Sequence, residues 1–407
     1  MKIIYLHQYF KFPDESGGTR SFDLASGFID LGHQVEMLTS TSDVKFKSNK
    51  RWFKIEKNGL IVHYVYLPYA NEMNYLKRSI VFFKFLWFSI LKLLSLRGDL
   101  VIASSTPLTI GIPAVIKKRI HKIPFIFETR DVWPEAVIAI GAINNKILQK
   151  ILYFLEWVIY KNASAIVPLS TDMKESIVQR YPELTEVKTV DVIENISEIE
   201  RFQNGYNNRI SVIQNKIGFH PQFSILYAGT FGHVNGISYV IQLAHKLINL
   251  DSSIVFILIG EGAEKKSLIQ EAADKGVLGK NVFILDSIPK KDLPQLYYEC
   301  DMGSSFVIPV KELWANSANK FFDSLAAGKP ILINHDGWQK DVINNENIGY
   351  VLPTVINDQE AKNFLEYTQN KILVAKQGEN ALNIAKIAYA KDKAVNKYNK
   401  IIENIFN

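Results

Sequence analysis

Residues 317–330 read Ser317-Ala318-Asn319-Lys320-Phe321-Phe322-Asp323-Ser324-Leu325-Ala326-Ala327-Gly328-Lys329-Pro330, and Ile331-Leu332-Ile333 follows. A polar cluster opens the stretch. An apolar helical pattern comes next, with Asp323 as its one acid, and Gly328 and Pro330 stop it ahead of a buried strand. An open α/β sheet builds a ligand site in this way. The helix N-terminus offers unpaired N–H groups and partial positive charge to an anion, and Lys320 adds a full charge. Asp323, one turn in, is placed to accept hydrogen bonds from a ribose. The plain alternative is an ordinary helix capped by Ser317.

Working outward, eleven apolar runs read as strands: 3–6, 35–38, 61–65, 100–103, 125–127 and 165–167 in the first half, then 223–227, 254–259, 282–284, 302–305 and 331–333. Helical patterns separate them, which implies right-handed βαβ units and parallel sheets. The expected architecture is α/β, with two doubly wound, Rossmann-like domains facing across a cleft. Residues 1–200 form the first domain and 201–380 the second, with the polar stretch 194–208 as the linker. Residues 381–407 supply a final helix, from about Asn380 to Ile405, that packs back toward the first domain.

The 407 residues carry a formal charge of +6 that hides an asymmetry: residues 1–165 hold 22 Lys/Arg against 13 Asp/Glu, the remainder 25 against 28. A basic first half suggests an anionic partner, either a phosphate ligand or a lipid surface. Nothing resembles a nucleic-acid module, so nucleic acid is not expected. One cysteine, Cys300, excludes an internal disulfide and fits a reducing compartment. The start Met1-Lys2-Ile3-Ile4-Tyr5-Leu6 reaches polar residues too soon for a secretory leader, so a cytoplasmic location is expected.

Parallel sheets bind ligands beyond their C-terminal strand ends, so the loops there carry the chemistry. After the first strand, His7-Gln8-Tyr9-Phe10 leads to Ser16-Gly17-Gly18-Thr19-Arg20. The glycine pair lets backbone approach an anion, and Arg20 is placed to reach a phosphate. The segment Glu128-Thr129-Arg130-Asp131-Val132-Trp133-Pro134-Glu135 crowds four ionisable groups at one loop tip, which marks Glu128, Arg130 and Asp131 as catalytic candidates beside Lys320. Ala228-Gly229-Thr230-Phe231-Gly232-His233-Val234-Asn235-Gly236 is a plausible phosphate cradle, and Gly260-Glu261-Gly262 follows the next strand. Neither completes a dinucleotide fingerprint. The backbone of Ser287-Ile288-Pro289 is suited to reading a flat base edge. No Asp-x-Asp, Cys-x-x-Cys or His-x-x-x-His occurs, so no metal is expected. Anion neutralisation then falls to Lys320, Arg20, His233 and helix ends.

These motifs identify a resemblance over nearly the whole chain. The sequence resembles the GT-B-fold glycosyltransferases of family four, retaining nucleotide-sugar transferases. Within them it looks most like the WbuB-type enzymes of O-antigen and capsule synthesis, which are similar to N-acetyl-L-fucosamine transferases. The most specific segments are Glu128–Glu135, Ala228–Gly236 and Ser317–Pro330. The resemblance implies a UDP-sugar donor and a polyprenyl-diphosphate-linked acceptor. It places Gly17 and Gly18 at the donor diphosphate, Ser287, Ile288 and Pro289 at the base, and Asp323 at the ribose. Gly229, Glu261, Ser317 and Asn319 join the donor side. Where the family carries an Arg and a Lys, this chain has Thr230 and Asn235. The first acid of the family's pair falls on Ala315, with Glu312 close by. Lys320 is the candidate for the missing cation, with His233 second. The implied mechanism is electrostatic. Charge builds on the leaving diphosphate, the sugar becomes oxocarbenium-like, and the acceptor hydroxyl attacks on the face of departure. Asp131, or Glu128 as second choice, orients or deprotonates that hydroxyl.

Residues 77–97, Lys-Arg-Ser-Ile-Val-Phe-Phe-Lys-Phe-Leu-Trp-Phe-Ser-Ile-Leu-Lys-Leu-Leu-Ser-Leu-Arg, form a basic amphipathic pattern. Lys84 and Lys92 argue against a spanning helix. A helix lying in the interface on the cytoplasmic face of the inner membrane is the expectation, with a core helix as the alternative. Two competing functions share these features: a GT-B nucleotide-sugar 2-epimerase, which would turn over donor alone, and a non-catalytic sugar-nucleotide-binding subunit.

Overall fold

The computed structural model describes residues 1–47, 50–68, 75–186, 188–207 and 211–407. All eleven expected strands are present, paired in parallel within two sheets. The first sheet orders its strands β3-β4-β2-β1-β5-β6-β7-β8. They span Lys2–Leu6 (β1), Gln34–Thr41 (β2), Trp52–Lys57 (β3), Leu60–Tyr66 (β4), Leu100–Ser104 (β5), Phe125–Thr129 (β6), Ala165–Pro168 (β7) and Thr189–Val190 (β8). The second orders β11-β10-β9-β12-β13-β14, over Phe223–Ala228 (β9), Ile254–Ile259 (β10), Val282–Leu285 (β11), Met302–Ser305 (β12), Ile331–Ile333 (β13) and Gly349–Val351 (β14). The central strands are buried on both faces, which is why they read as unbroken Ile/Val/Leu/Phe runs.

Three short strands lay outside the sequence reading. β3 pairs antiparallel with β4, joined by Asn58 and Gly59, both at positive φ. That Asn-Gly pair is the strongest short-range hairpin signal. β8 and β14 are edge strands of two and three residues, too short to stand out.

The expected helix from 380 to 405 is two helices. Lys371–Ile384 runs into a π turn at Ala385–Tyr389, Ala390 is extended, and Lys391–Phe406 begins afresh. The interruption lies where the chain crosses between domains. There Ser197 N donates to Tyr389 O at 2.8 Å, and Ser197 and Ala390 form a β-bridge. Beyond it, Val395, Tyr398, Ile401 and Ile402 pack into the first domain's core with Leu24, Ala25 and Phe28. Gly27 permits this approach, because a Cβ there would meet Val395 Cγ2 at 2.3 Å.

The helix Tyr75–Ser95 covers the first sheet's other face. Val81, Phe85 and Leu93 are buried against it, and Lys92 is half-buried, its pKa lowered by that burial. Ile80, Phe83, Trp87 and Leu91 project outward, Phe83 at 69% exposure and Trp87 at 60%, with Lys84 exposed beside them. The side chain of Lys77 lies outside the described residues. The helix is therefore part core and part exposed apolar stripe. Among the described residues, no helix is long and apolar enough to cross a membrane.

Candidate active site

The Asn319–Ala326 helix is fixed by its apolar side. Phe321, Phe322 and Leu325 are fully buried with Trp338 and Tyr389, Phe321 packing edge-on against Trp338 at 5.4 Å and Phe322 against Tyr389 at 5.1 Å. Burying each such side chain stabilises by about 1.5–3 kcal/mol. Gly328, at φ +66°, ends the helix before Pro330. Its other end is capped by no side chain: Ala318 holds the cap position. Ser317 is not the cap, and its hydroxyl is buried without a partner. The first amides of this helix therefore open onto a cleft of about 690 Å³ between the sheets.

Both domains line that cleft. From the first come His7, Gly17, Gly18, Thr106, Arg130 and Asp131; from the second come Gly229, Thr230, Glu261, Ser287, Ile288, Lys290, Ser317, Asn319, Lys320 and Asp323. The walls are stitched together at the rim. Ser16 Oγ donates to Ile288 O, Lys290 N to Glu15 O and Lys291 N to Pro13 O, each at 3.1 Å. The glycine loop and the expected base-reading loop thus touch directly. Deeper in, Asn195 of the linker donates to Ser317 O.

Lys320 Nζ sits 4.9 Å over the Tyr227 ring and 3.2 Å from the place a Cβ on Gly229 would take. It has no carboxylate partner among the described residues. Burial pushes its pKa down to about 8, with Asp323 opposing weakly. Asp323 is itself buried and paired: Lys290 Nζ donates to both its oxygens. The sequence does not single out Lys290, and its position directly after Ser287-Ile288-Pro289 is the available signal. Asp131 lines the cleft and accepts a hydrogen bond from Thr106 Oγ1. Glu261 lines the mouth, paired with Lys265 at 2.5 Å.

Several expected site residues lie elsewhere. Arg20 does not face the cleft. Its guanidinium is buried, donating to Glu128 Oε2 at 3.0 Å and to Ile193 O at 2.8 Å. Glu128 is equally buried, accepting also from Ser104 Oγ at 2.7 Å and from Tyr398. Burial pushes the Glu128 carboxyl up, but Arg20, Arg130 and these hydrogen bonds outweigh it and hold the pKa at about 2. Glu128 is a fixed anion of the scaffold, unable to serve as an acceptor base. His233 points to solvent, 74% exposed and 3.1 Å from Glu264, while Asn235 sits on the adjoining 3-10 turn, and neither lines the cleft. Glu312 is exposed on a 3-10 turn, and Pro289 precedes another; both lie off the cleft surface. Ala315 packs among Val132, Leu169 and Met173, an apolar seam between domains where an acid would be buried unpaired. Among the described residues, no group of three His, Cys, Asp or Glu is placed to hold a metal ion.

Two family descriptions match the chain: "Glycosyl transferase 4-like domain" over residues 17–192 and "Glycosyl transferases group 1" over residues 211–383. Protein CapJ of Staphylococcus aureus is 25% identical over 301 residues, covering 72% of this chain and 71% of CapJ. The crystal structure of HepE from Anabaena in complex with UDP-glucose superposes with a TM-score of 0.72 at 17% identity, over 99% of this chain and 100% of HepE. WaaG, a glycosyltransferase involved in lipopolysaccharide biosynthesis, does so with a TM-score of 0.67 at 16% identity, over 98% and 99%. At these identities the superpositions establish a shared fold, two facing Rossmann-like domains.

Proposed function

The chain is a glycosyltransferase, a 4-like domain joined to a group 1 domain, and from that premise we propose that it moves a sugar from a UDP-sugar to a saccharide carried on polyprenyl diphosphate. The sugar we assign is N-acetyl-fucosamine or a related amino sugar, and the process O-antigen or capsule synthesis. One observation carries the reading: the uncapped start of the Asn319–Ala326 helix, Lys320 and Asp323 share a single cleft with Gly17, Gly18 and Asp131 of the other domain. The UDP-glucose complex of HepE and the lipopolysaccharide role of WaaG support the donor and acceptor classes.

In this reading the nucleoside lies on the second domain. The Ile288 backbone meets the base, and Asp323 meets the ribose while Lys290 holds the carboxylate in place. The diphosphate lies at the helix start beside Lys320. As the bond between sugar and phosphate breaks, negative charge grows on the leaving diphosphate. Oriented amides and a lysine in a confined cleft stabilise that charge more than the ground state. A lysine whose pKa is about 8 when the cleft is empty takes up its proton fully once the anion arrives. Asp131, oriented by Thr106, receives or orients the acceptor hydroxyl as it attacks the face the diphosphate leaves. Charge neutralisation by Lys320 and amides rather than by a divalent ion belongs to this proposal.

The exposed stripe Ile80, Phe83, Trp87 and Leu91 with Lys84 supports peripheral docking on the cytoplasmic face of the inner membrane, where a polyprenyl acceptor resides. The test incubates the purified chain with a panel of UDP-sugars and a polyprenyl-diphosphate-linked saccharide. Transfer of one sugar with retention, undiminished by EDTA, is the expected result. A 2-epimerised sugar formed from donor alone would establish the epimerase instead. Donor binding without turnover would leave a binding subunit.

A further inference from the structure

We propose that Arg130, held in place by His7, is the second cation of the diphosphate site, supplied by the first domain's wall; this rests on the reading of the cleft as a nucleotide-sugar site. The argument begins with charge. A nucleoside diphosphate brings about two or three negative charges. Of the cations lining the cleft, Lys290 is consumed by Asp323, and Lys320 supplies a single positive charge against the roughly two or three of the ligand. Arg130 is the remaining one. Its planar guanidinium fork suits a phosphate, and the structure gives it no carboxylate partner among the described residues.

Its surroundings fix its position. Arg130 N donates to Ser105 Oγ at 2.9 Å, which sets the backbone at the end of β6. The guanidinium meets His7 Nε2 at 3.0 Å. Arginine only donates, so Nε2 must be the acceptor and the proton must sit on Nδ1. His7 Nδ1–H then donates to Ser21 Oγ at 2.7 Å. The imidazole is thus neutral, in one tautomer, and 4% exposed. Burial comes first among the causes that keep its pKa well below 6.5, followed by Arg130; Glu128 opposes them, and Arg20 adds to them. A protonated His7 would set an N–H against the guanidinium.

With Nη1 engaged by His7, Nη2 is left toward the glycine loop. It lies 3.8 Å from where a Cβ on Gly18 would stand, and Asn319 Nδ2 lies 2.5 Å from the same point. Donors from both domains therefore converge on the bare α-carbon of Gly18. Gly18 is needed there for space, since its φ is not in the left-handed range. A side chain at Gly18 would collide with the Asn319 amide and push that donor aside. His7 is a positioning residue in this scheme, and Arg130 is the group that touches the anion.

The test compares UDP with uridine as ligands for the full-length chain by calorimetry. Arg130→Gln should weaken UDP binding at least tenfold and leave uridine binding unchanged. His7→Leu should weaken UDP similarly. His7→Gln, whose amide oxygen can accept from Arg130, should recover most of the affinity. Thermal unfolding of each variant confirms a folded chain, and Arg130→Gln stands alone if His7→Leu fails to fold. If wild type binds UDP and Arg130→Gln binds it equally well, the inference is overturned. A raised KM for the lipid acceptor in that variant would then place Arg130 at the acceptor's phosphate. If wild type binds neither UDP nor inorganic pyrophosphate, the reading of the cleft falls, and this inference with it.

Discussion

Glu128 and Arg130 stand two residues apart in sequence, yet they belong to two groups of charge that behave in opposite ways. Arg20, Glu128 and Tyr398 form a closed cluster beneath the first sheet, with side chains of Arg20 and Glu128 at 1% and 0% exposure. Arg130 and Lys320 line the open cleft, and their side chains meet an imidazole and an aromatic ring. Complete pairing serves the scaffold: the cluster ties the last helix to the glycine-loop helix and β6. Incomplete pairing leaves charge for a ligand. Position in a loop beyond a strand did not separate the two roles; the presence of a partner does.

The largest expected effect breaks the closed cluster. Glu128→Ala leaves Arg20 buried without its counter-charge, which costs about 3–5 kcal/mol, read as a lowered denaturation midpoint. An unchanged midpoint would mean the cluster is not scaffold. Lys320→Met should act in the reverse sense. Turnover should fall by about two orders of magnitude, as for loss of one preorganised donor. The empty protein should become more stable by about 1–3 kcal/mol, since a cation held below its ordinary pKa opposes folding. Loss of stability with normal turnover would place Lys320 with the scaffold.

The pH dependence sharpens the same contrast. Lys320 titrates near 8 when folded and 10.5 when unfolded. Between those values the unfolded chain binds the extra proton, so this group makes stability rise with pH across that window. Donor affinity should do the opposite, weakening as pH climbs through about 8, and the weakening should vanish in Lys320→Met. Titrating UDP at pH 7 and pH 9 measures it. The smallest effect on folding is expected at the surface. Phe83→Ser with Trp87→Ser should leave the unfolding midpoint within about 0.5 kcal/mol, yet lower partitioning onto anionic vesicles about tenfold or more. Equal partitioning would remove the membrane role of that stripe.

The fold was largely legible because both sheets, apart from the edge strand β3, are parallel and doubly covered, so their strands appear as uninterrupted apolar runs between helices. β3 was legible in principle from Asn58-Gly59 and went unread because its residues are mostly exposed and lack a strong alternation. The break at Ala390 has no local signal; a crossing contact with Ser197, almost two hundred residues earlier, creates it. The cleft loops were legible as loops, and Gly18, Asn319, Lys320 and Asp323 do converge there. The inward turn of Arg20 was not, since its partners, Glu128 and the carbonyls of Ile193 and Glu194, lie more than a hundred residues further along the chain. His7 opens a loop segment visible in the sequence and Lys290 directly follows another, but only geometry reveals one as the support of Arg130 and the other as the partner of Asp323.

The central claim is that the diphosphate is gripped by cations and amides of both walls. A crystal structure of the chain with UDP, grown in EDTA, tests it most directly. The account predicts phosphate oxygens within about 3 Å of Lys320 Nζ and of the Arg130 guanidinium, at the start of the Asn319–Ala326 helix. Phosphates seated away from both groups, or nucleotide that binds only once a divalent ion is restored and bridges it, would contradict the account.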